Sequence, residues 1–451
     1  MSEAPSTGAG ADISGRAYLG LVGIGAAIGI PAALVAALFL AFVHVCQDWL
    51  WTDLPQHLGD SKPPWYLVIG LPVVGAAIVW AARRYLPGDG GHKPLLGIVA
   101  SPTPWQYGPG IAIAALGTLV FGAVLGPEGP LIALGSVVGV TATHFVRVNE
   151  RAQAVLATAG SFSAVSALFE GPLVAGMLLL EGGVGMGAAL IPALLPGLVA
   201  AAVGYVLFIG LGNWGGLHEA GLKVGDLPLY HGTHIVDLLL AIVVGVLAAI
   251  LMAPIRRLGI RVAAAAPASS RGRMAGLLLA GGLAVGLLAE VARLLGANSQ
   301  EILFSGQASV PEVIAQDSTG ILVVIVLAKA LGYAISLGCG FRGGAVFPAL
   351  FLGIAIATFA VTWFNTSPTW AVAVGCAAGM TAGTGLLFSS LIFAMLLVGS
   401  NGFDALPAAV LAAAAAWIVR RALEARVPTT GPAAVGGAGA GAGKAEASPA
   451  G

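Results

Sequence analysis

The sequence predicts an all-α polytopic membrane protein made of two inverted helical repeats. Three observations support this fold class: an apolar composition, long apolar runs that recur along the chain, and two similar interruptions in different halves. Of the 451 residues, 58% are hydrophobic and only 9% are charged, whereas a soluble globular chain carries about a quarter charged residues. The net charge of zero gives no sign of a nucleic-acid partner.

Apolar runs of the length that a membrane-spanning helix needs recur throughout the chain. They cover residues 17–45, 66–82, 110–125, 188–211, 235–252 and 321–337. The 67 glycines allow helix backbones to approach closely within a lipid bilayer. Three cysteines without a paired spacing are expected to be core thiols, and the pattern implies neither a metal, a disulfide nor another cofactor. These are Cys46, Cys339 and Cys376.

The order of segments along the chain predicts five parts. Residues 1–16 form a small, polar N-terminal segment without the charged region of a signal peptide. Residues 17–211 and 235–427 are expected to be the two membrane repeats, joined by a polar loop at 212–234. Residues 428–451 are rich in glycine and alanine and are expected to be a disordered tail.

Basic residues predict the orientation of the chain in the membrane. Arginines stand at the ends of apolar runs, whereas 48–64 and 212–234 carry Trp, His, Asp and Glu with few cations. By the positive-inside rule the arginine-bearing ends are cytoplasmic, and 212–234 is then an extracellular loop. We therefore expect a multi-pass protein of the plasma (inner) membrane with both termini in the cytoplasm. The arginines are Arg16, Arg83, Arg84, Arg256, Arg257, Arg261, Arg271, Arg273, Arg420 and Arg421.

Two interruptions of the apolar pattern resemble each other. "LGPEGPLIALG" at 125–135 and "RGGAVFPALFLG" at 342–353 both run from glycine through a short spacer to proline and an apolar helix. Irregular backbone at membrane depth is tolerated where it is buried in protein or lines a cavity. Paired broken helices in two halves are typical of inverted repeats that form an ion site at the membrane midplane. The two breaks are therefore expected to meet there.

The backbone chemistry of such a break favours an anion. Proline suits the first turn of a helix, and glycine before it lets the chain turn. Unpaired N–H groups at the positive end of the helix dipole then bind negative charge without a full positive charge. The residues expected to line an anion pathway are Gly126, Glu128, Gly129, Gly344, Ala345 and Val346.

Glu128 places a carboxylate in the first break. When ionised, it would occupy the anion site and block it. When protonated, it would lose its attraction to the helix dipoles and swing out, so Glu128 is predicted to be a gate, a proton carrier or both. The alternative is a structural glutamate paired with a basic residue, although no cation lies nearby in sequence and the glycines would then be unexplained.

These residues resemble a divergent member of the CLC family of chloride channels and proton-coupled chloride antiporters. Gly126-Pro127-Glu128-Gly129-Pro130 is similar to the family motif G-[KR]-E-G-P, and "GGAVFP" at 343–348 is similar to G-G-x-F-x-P. The resemblance covers roughly 17–420, and 156–181 and 401–419 are similar to segments at the family's dimer interface. It implies a homodimer in the lipid bilayer that moves chloride or another small anion, with or without protons, and a gating role for Glu128.

The sequence departs from the family pattern at its central anion motif. Gly88-Asp89-Gly90-Gly91-His92 falls where the family has G-S-G-I-P, so the resemblance implies that Asp89 and Gly90 face the anion. An ionised Asp89 would repel chloride by about 4 kcal/mol at 4 Å in an effective dielectric of 20. Asp89 is therefore expected to be protonated, to point away, or to make a site of another kind. A turn cap is the other interpretation, with His92 as a candidate partner.

Two further departures bear on the mechanism. The family's second central hydroxyl is a tyrosine near the C-terminal end of the membrane domain, whereas the last tyrosine here is Tyr333, so the site is expected to lack both hydroxyls. The family's internal proton-transfer glutamate aligns with Gly182, and Glu181 one residue earlier is turned by about 100° on a helix. This favours a passive channel or uncoupled transporter. The alternative is a proton-coupled antiporter that uses Glu128, Glu181 and Asp89 as its proton route.

The sequence also leaves three other hypotheses about function open. A fluoride transporter is disfavoured by the proline after Glu128-Gly129 and by the absence of methionine at position 89. An intramembrane protease would need a serine and a histidine at membrane depth. Ser161, Ser163 and His144 are the candidates, but GxSxG and HExxH motifs are absent. A scaffold that no longer transports would suit the changed central site, but it would not explain the intact Glu128 motif.

Overall fold

The computed structural model describes residues 15–425, apart from gaps at 99–100, 147, 167, 170, 184–189, 216–223 and 266–270. Over these residues the regular structure is helical, which confirms the predicted all-α class. The helices are α1 (Gly15–Asp48), α2 (Leu54–His57), α3 (Trp65–Tyr85), α4 (Gly108–Leu119), α5 (Glu128–Ala142), α6 (Glu150–Ser166), α7 (Pro172–Gly182), α8 (Leu190–Gly215), α9 (Ile235–Ala265), α10 (Arg271–Leu294), α11 (Ser299–Ile302), α12 (Val310–Ile314), α13 (Thr319–Gly338), α14 (Val346–Phe364), α15 (Pro368–Thr384), α16 (Phe388–Val398) and α17 (Leu406–Ala425).

Seven helical stretches among the described residues are long and apolar enough to cross a membrane. The predicted runs at 17–45, 66–82, 235–252 and 321–337 lie within α1, α3, α9 and α13. Large apolar side chains on several helices point outward, for example Leu38, Val206 and Leu327, which are 64%, 70% and 55% exposed. An outward apolar face suits lipid and not water. The chain is therefore a multi-pass integral membrane protein, as predicted.

Small residues set the distance between neighbouring helices. Where α14 crosses α15, a Cβ added at Gly379 would stand 2.8 Å from the Cα of Gly353. Real Cβ atoms do not approach that closely, so glycine is required at this crossing. The close contact agrees with the expectation that the abundant glycine serves helix packing.

The two predicted breaks meet in the structure. Gly126 and Gly344 form an isolated antiparallel bridge, with the Gly126 N–H donating to the Gly344 carbonyl at 2.9 Å and the Gly344 N–H donating back at 2.6 Å. Helix α5 begins two residues after Gly126, and α14 begins two residues after Gly344. The bridge therefore holds two helix N-termini side by side within the bundle.

The predicted division into repeats at 17–211 and 235–427 stays a prediction, as does the extracellular placement of 212–234. Most of the polar N-terminal segment and all of the tail at 428–451 lie outside the described residues.

Candidate anion pathway

The carboxylate of Glu128 is seated on the start of the opposite broken helix. Glu128 is the first residue of α5 and only 1% exposed. Its Oε1 accepts a hydrogen bond of 2.5 Å from the backbone N–H of Val346, the first residue of α14. A helix N-terminus carries unpaired N–H groups and the positive end of the helix dipole. One broken helix thus supplies the negative group that the other is built to bind.

The second oxygen of the Glu128 carboxylate, Oε2, is buried and lacks a hydrogen-bond partner among the described residues. None of the ion pairs found in the described part of the chain includes Glu128. A structural glutamate would be expected to have a cationic partner in a buried place. This geometry favours the gating interpretation over the structural one.

Two glycines of the break make room for the carboxyl group. A Cβ built on Gly344 or on Gly126 would collide with the side chain of Glu128. The backbone that carries these residues is also held by the bridge between them. Glycine is therefore needed at both positions for the carboxylate to reach the amides of α14.

A cavity of about 130 Å³ opens beside Glu128. The structure brings most of the predicted anion-site residues to it, whereas Gly126 stands in the bridge next to it. Its lining also includes side chains that sequence reasoning did not assign to this site. The predicted residues in the lining are Glu128, Gly129, Gly344, Ala345 and Val346. The further polar residues in the lining are His92, Arg256, Tyr333, Thr384 and Arg420.

Tyr333 brings a hydroxyl group to this cavity, whereas the predicted absence of the family's two central hydroxyls stays a prediction. This tyrosine lies on α13 and lines the cavity, and its hydroxyl donates to the Ala345 carbonyl at 2.7 Å. The sequence comparison placed the expected tyrosine near the C-terminal end of the membrane domain, whereas Tyr333 lies earlier in the chain, on α13. The available signal was a tyrosine in the apolar run that directly precedes the second break.

Asp89 lies in the predicted loop, but its carboxylate binds two arginines. Its Oδ1 accepts from Arg83 Nε at 2.9 Å and its Oδ2 accepts from Arg342 at 2.5 Å. Its backbone carbonyl also accepts from Arg342 Nε at 2.9 Å. The two guanidinium side chains are only 7% and 4% exposed. Of the alternatives, the geometry matches a carboxylate that points away from the anion, and neither Asp89 nor Gly90 is among the described lining residues of the cavity.

The backbone at Asp89 is unusual as well. Its φ of 49° is left-handed, and its glycine neighbours Gly88 and Gly90 have φ of 89° and 70°. Aspartate tolerates this conformation better than most residues. The candidate partner His92 is bonded instead to the Gly97 carbonyl, at 2.7 Å from Nε2. Sequence reasoning did not identify the partners of Asp89. Arg342 is 253 residues away from it, whereas Arg83 is only six residues away and was interpreted as a marker of membrane orientation.

Glu181 caps the start of α16. Its Oε1 accepts from the N–H groups of Leu387 and Phe388 at 3.0 and 2.8 Å. Its Oε2 accepts from the N–H and the hydroxyl of Ser389 at 2.8 and 2.6 Å. A carboxylate at a helix N-terminus is stabilised by both the donors and the dipole. Glu181 is therefore committed to four donors and does not line the cavity of Glu128.

A second cavity, of about 290 Å³, adjoins the first. Both are lined by Thr384, Arg420 and residues 96–98. Glu181, Arg421 and Glu424 line only the second cavity. The two cavities together outline a route from the Glu128 seat towards the end of the bundle that carries the arginines.

The candidate protease residues are bound to backbone carbonyls. The hydroxyl of Ser161 donates to Ile132 and Ala157, and that of Ser163 donates to Gly29 at 2.7 Å. His144, in the turn that follows α5, pairs with the Val140 carbonyl in the last turn of that helix at 3.3 Å. These contacts are those of helix packing.

Comparison with known proteins identifies the family of the chain. A family profile described as "Voltage gated chloride channel" matches residues 74–421, well over half of the chain. The putative ion-transport protein YfeO of Escherichia coli O1:K1 / APEC is 27% identical over 359 residues, which covers 78% of this chain and 81% of that protein. YfeO of Shigella boydii serotype 4 (strain Sb227) is 27% identical over 361 residues, with the same two coverages.

Two solved structures have the same fold at low sequence identity. The structure of a slow cyanobacterial Cl-/H+ antiporter matches with a TM-score of 0.73 and 16% identity, over 90% of this chain and 95% of the other. A CLC-type fluoride/proton antiporter matches with a TM-score of 0.68 and 20% identity, over 91% and 97%. At these identities the match concerns the fold of the helical bundle.

Proposed function

The chain belongs to the voltage-gated chloride channel family of anion transport proteins, and we propose that it moves chloride through a pathway that Glu128 gates. The observation that carries the proposal is the seat of the Glu128 carboxylate on the N–H of Val346, without a cationic partner in the described chain. Because the family consists of channels and transporters, the prediction that the chain is not an enzyme is confirmed. The resemblance found in the two break motifs is confirmed as well.

The proposed gate works by competition for the same amides. An anion in the 130 Å³ cavity reaches the N-terminus of α14 only when the carboxylate has left it. Protonation removes the charge that attracts the carboxyl group to the helix dipole, so the side chain can then swing away. The bridge between Gly126 and Gly344 keeps both helix starts in place while this exchange occurs.

We favour passive conduction or uncoupled transport over proton exchange. Glu181 is the carboxylate nearest in sequence to the family's internal proton-transfer position, and its four hydrogen bonds support a capping role. The second candidate is a proton-coupled antiporter. It is supported by the position of Glu181 in the second cavity and by the two solved relatives, which are described as Cl-/H+ and fluoride/proton antiporters.

We further propose that two copies form a homodimer in the plasma (inner) membrane, each with its own pathway. The arginines at the ends of apolar helices support a cytoplasmic location for both termini. On this orientation, the arginine-lined end of the two cavities opens to the cytoplasm.

The test is transport by the purified protein in liposomes under a chloride gradient, with chloride and pH followed together. We expect chloride to move without protons moving uphill, and Glu128→Ala to change its rate. Glu290→Ala is the matched control, since it removes a carboxylate that is paired with Arg293 on α10. Uphill proton movement would establish the antiporter instead. If chloride, nitrate and fluoride all stay in place, the proposed function is wrong.

A further inference from the structure

Two arginines from different helices share one carboxylate next to the cavity of Glu128. Arg256 lies on α9, and Arg420 and Glu424 lie one turn apart on α17. The Oε1 atom of Glu424 stands 3.0 Å from Arg420 Nε and 3.3 Å from Arg256 Nη1. A single oxygen thus faces two guanidinium groups.

These three side chains stand where the two cavities meet. Arg256 and Arg420 line the cavity that contains Glu128, whereas Glu424 lines only the adjoining one. Arg420 belongs to both linings. An anion that travels between the cavities therefore passes the guanidinium groups that Glu424 contacts.

Arg420 is fixed independently of Glu424. Its Nη1 also donates to the backbone carbonyl of Ala382 at 3.0 Å and approaches that of Thr381 at 3.4 Å, both in the last turn of α15. A cation near the C-terminus of a helix is favoured by the dipole. The guanidinium group would therefore stay in position if the carboxylate moved.

Glu424 is held weakly by comparison. Its side chain is 41% exposed, against 14% for Arg420 and 34% for Arg256. Ion pairs with this degree of exposure contribute little to stability because water and salt screen them. Two guanidinium groups against one carboxylate also leave a net positive charge. A free anion can therefore compete for the position of the Glu424 carboxylate.

We propose that Arg256 and Arg420 form a second anion-binding site, and that Glu424 is its resident competitor. The ligand is a small monovalent anion such as chloride or nitrate, which replaces the carboxylate on the guanidinium groups as it enters or leaves the pathway. This inference rests on the proposed function and adds a second tethered carboxylate to it: Glu128 occupies the amide site, and Glu424 occupies the arginine site.

The test compares variants of the purified protein by chloride titration in a calorimeter and by flux in liposomes. Glu424→Gln keeps the size of the side chain but removes its charge. We expect it to tighten chloride binding and to lower the half-saturating chloride concentration for flux by about two- to fivefold, the range expected from an exposed ion pair. Arg420→Gln should have the opposite effect, and adding it to Glu424→Gln should abolish the gain.

Glu290→Gln is the matched control, because it neutralises a carboxylate that is paired with Arg293 at 2.5 Å. Neither residue of this pair lines either of the two cavities. Unchanged chloride affinity in Glu424→Gln, with flux still sensitive to Glu128→Ala, would overturn the arginine site and leave the proposed function intact. A lower melting temperature without a change in affinity would also overturn it, since the pair would then be purely structural. If no variant supports flux, the titration alone decides the inference.

Discussion

At the residue scale, the carboxylates near the candidate pathway differ in their partners. Glu128 accepts a hydrogen bond from a backbone N–H group, whereas Asp89 and Glu424 are paired with arginines. Glu128 was identifiable from its sequence, since glycine and proline around a lone acid indicate a helix N-terminus. Arg342 was not identifiable as a partner of Asp89, because 253 residues separate the two. Tyr333 lies only 12 residues before its partner Ala345, and its place just before the second break was the only sign of its role. Local patterns predict the chemistry of a break, whereas tertiary structure decides which side chains surround it.

Asp89 is expected to act as a tether. Asp89→Asn removes the charge that holds Arg83 and Arg342 together, and Arg342 directly precedes the Gly343-Gly344 break. Removing one partner of a buried ion pair costs about 3–5 kcal/mol. Because the Asp89 side chain is 43% exposed, we expect a smaller loss of about 1–3 kcal/mol. Thermal unfolding in detergent measures it, with Asp60→Asn in an exposed loop as the control.

The same variant tests whether Asp89 faces the anion. If Asp89 repels chloride in the pathway, Asp89→Asn would raise chloride flux with little change in melting temperature. We expect the reverse, a lower melting temperature without faster flux. Faster flux at full stability would return Asp89 to the pathway.

Tyr333 is expected to shape the anion site. Tyr333→Phe keeps the ring but removes the hydroxyl that donates to the Ala345 carbonyl beside the start of α14. A hydrogen bond of this kind contributes about 1 kcal/mol. We therefore expect anion affinity to change by up to about fivefold while the fold is retained. The readout is chloride binding, and Tyr66→Phe on α3, where the side chain is 46% exposed, should leave it unchanged.

At the scale of the elements, composition predicts the helices and not their contacts. Four apolar runs correctly predicted helices α1, α3, α9 and α13, because a membrane-spanning helix can be recognised from its length and hydrophobicity alone. The crossing of α14 and α15 could not be predicted, since many glycines are available and sequence does not tell which of them face each other. Helix periodicity predicts that Glu181 is turned by about 100° from Gly182, but its role as the cap of α16 depends on the positions of two distant helices.

The α14 and α15 crossing gives a prediction about packing. Gly379→Ala adds a Cβ that would stand 2.8 Å from the Cα of Gly353, with no flexible side chain to move aside. Overpacking of this type costs about 1–3 kcal/mol. The control is Gly70→Ala on α3, where nothing lies within 4 Å of the added atom. A lower melting temperature is expected only for Gly379→Ala, and equal values for the two variants would contradict the packing argument.

At the scale of the whole molecule, a short backbone bridge joins the two breaks, which come from different halves of the chain. Sequence similarity between the breaks at 125–135 and 342–353 predicted that they meet, and the bridge between Gly126 and Gly344 agrees with it. The two arginines that line the Glu128 cavity were not predictable in this way. In the sequence, Arg256 and Arg420 indicate only the orientation of the chain in the membrane. That both line one cavity depends on how α9 and α17 pack, which the sequence pattern does not show.

The last prediction concerns the stability of the whole protein when an anion is bound. In the wild-type chain an added anion must displace the Glu128 carboxylate from the N–H of Val346. Glu128→Ala vacates that seat, so the same anion should bind more tightly. A ligand that binds the folded state stabilises it by about 1.4 kcal/mol for each tenfold rise in concentration above its Kd. Melting temperature should therefore begin to rise at a lower chloride concentration in Glu128→Ala than in the wild type. Gluconate at equal ionic strength is the control for screening, because it is a much larger anion that contributes the same ionic strength. If the rise begins at the same chloride concentration in the two proteins, Glu128 does not compete with the anion, and the carboxylate would then be no gate.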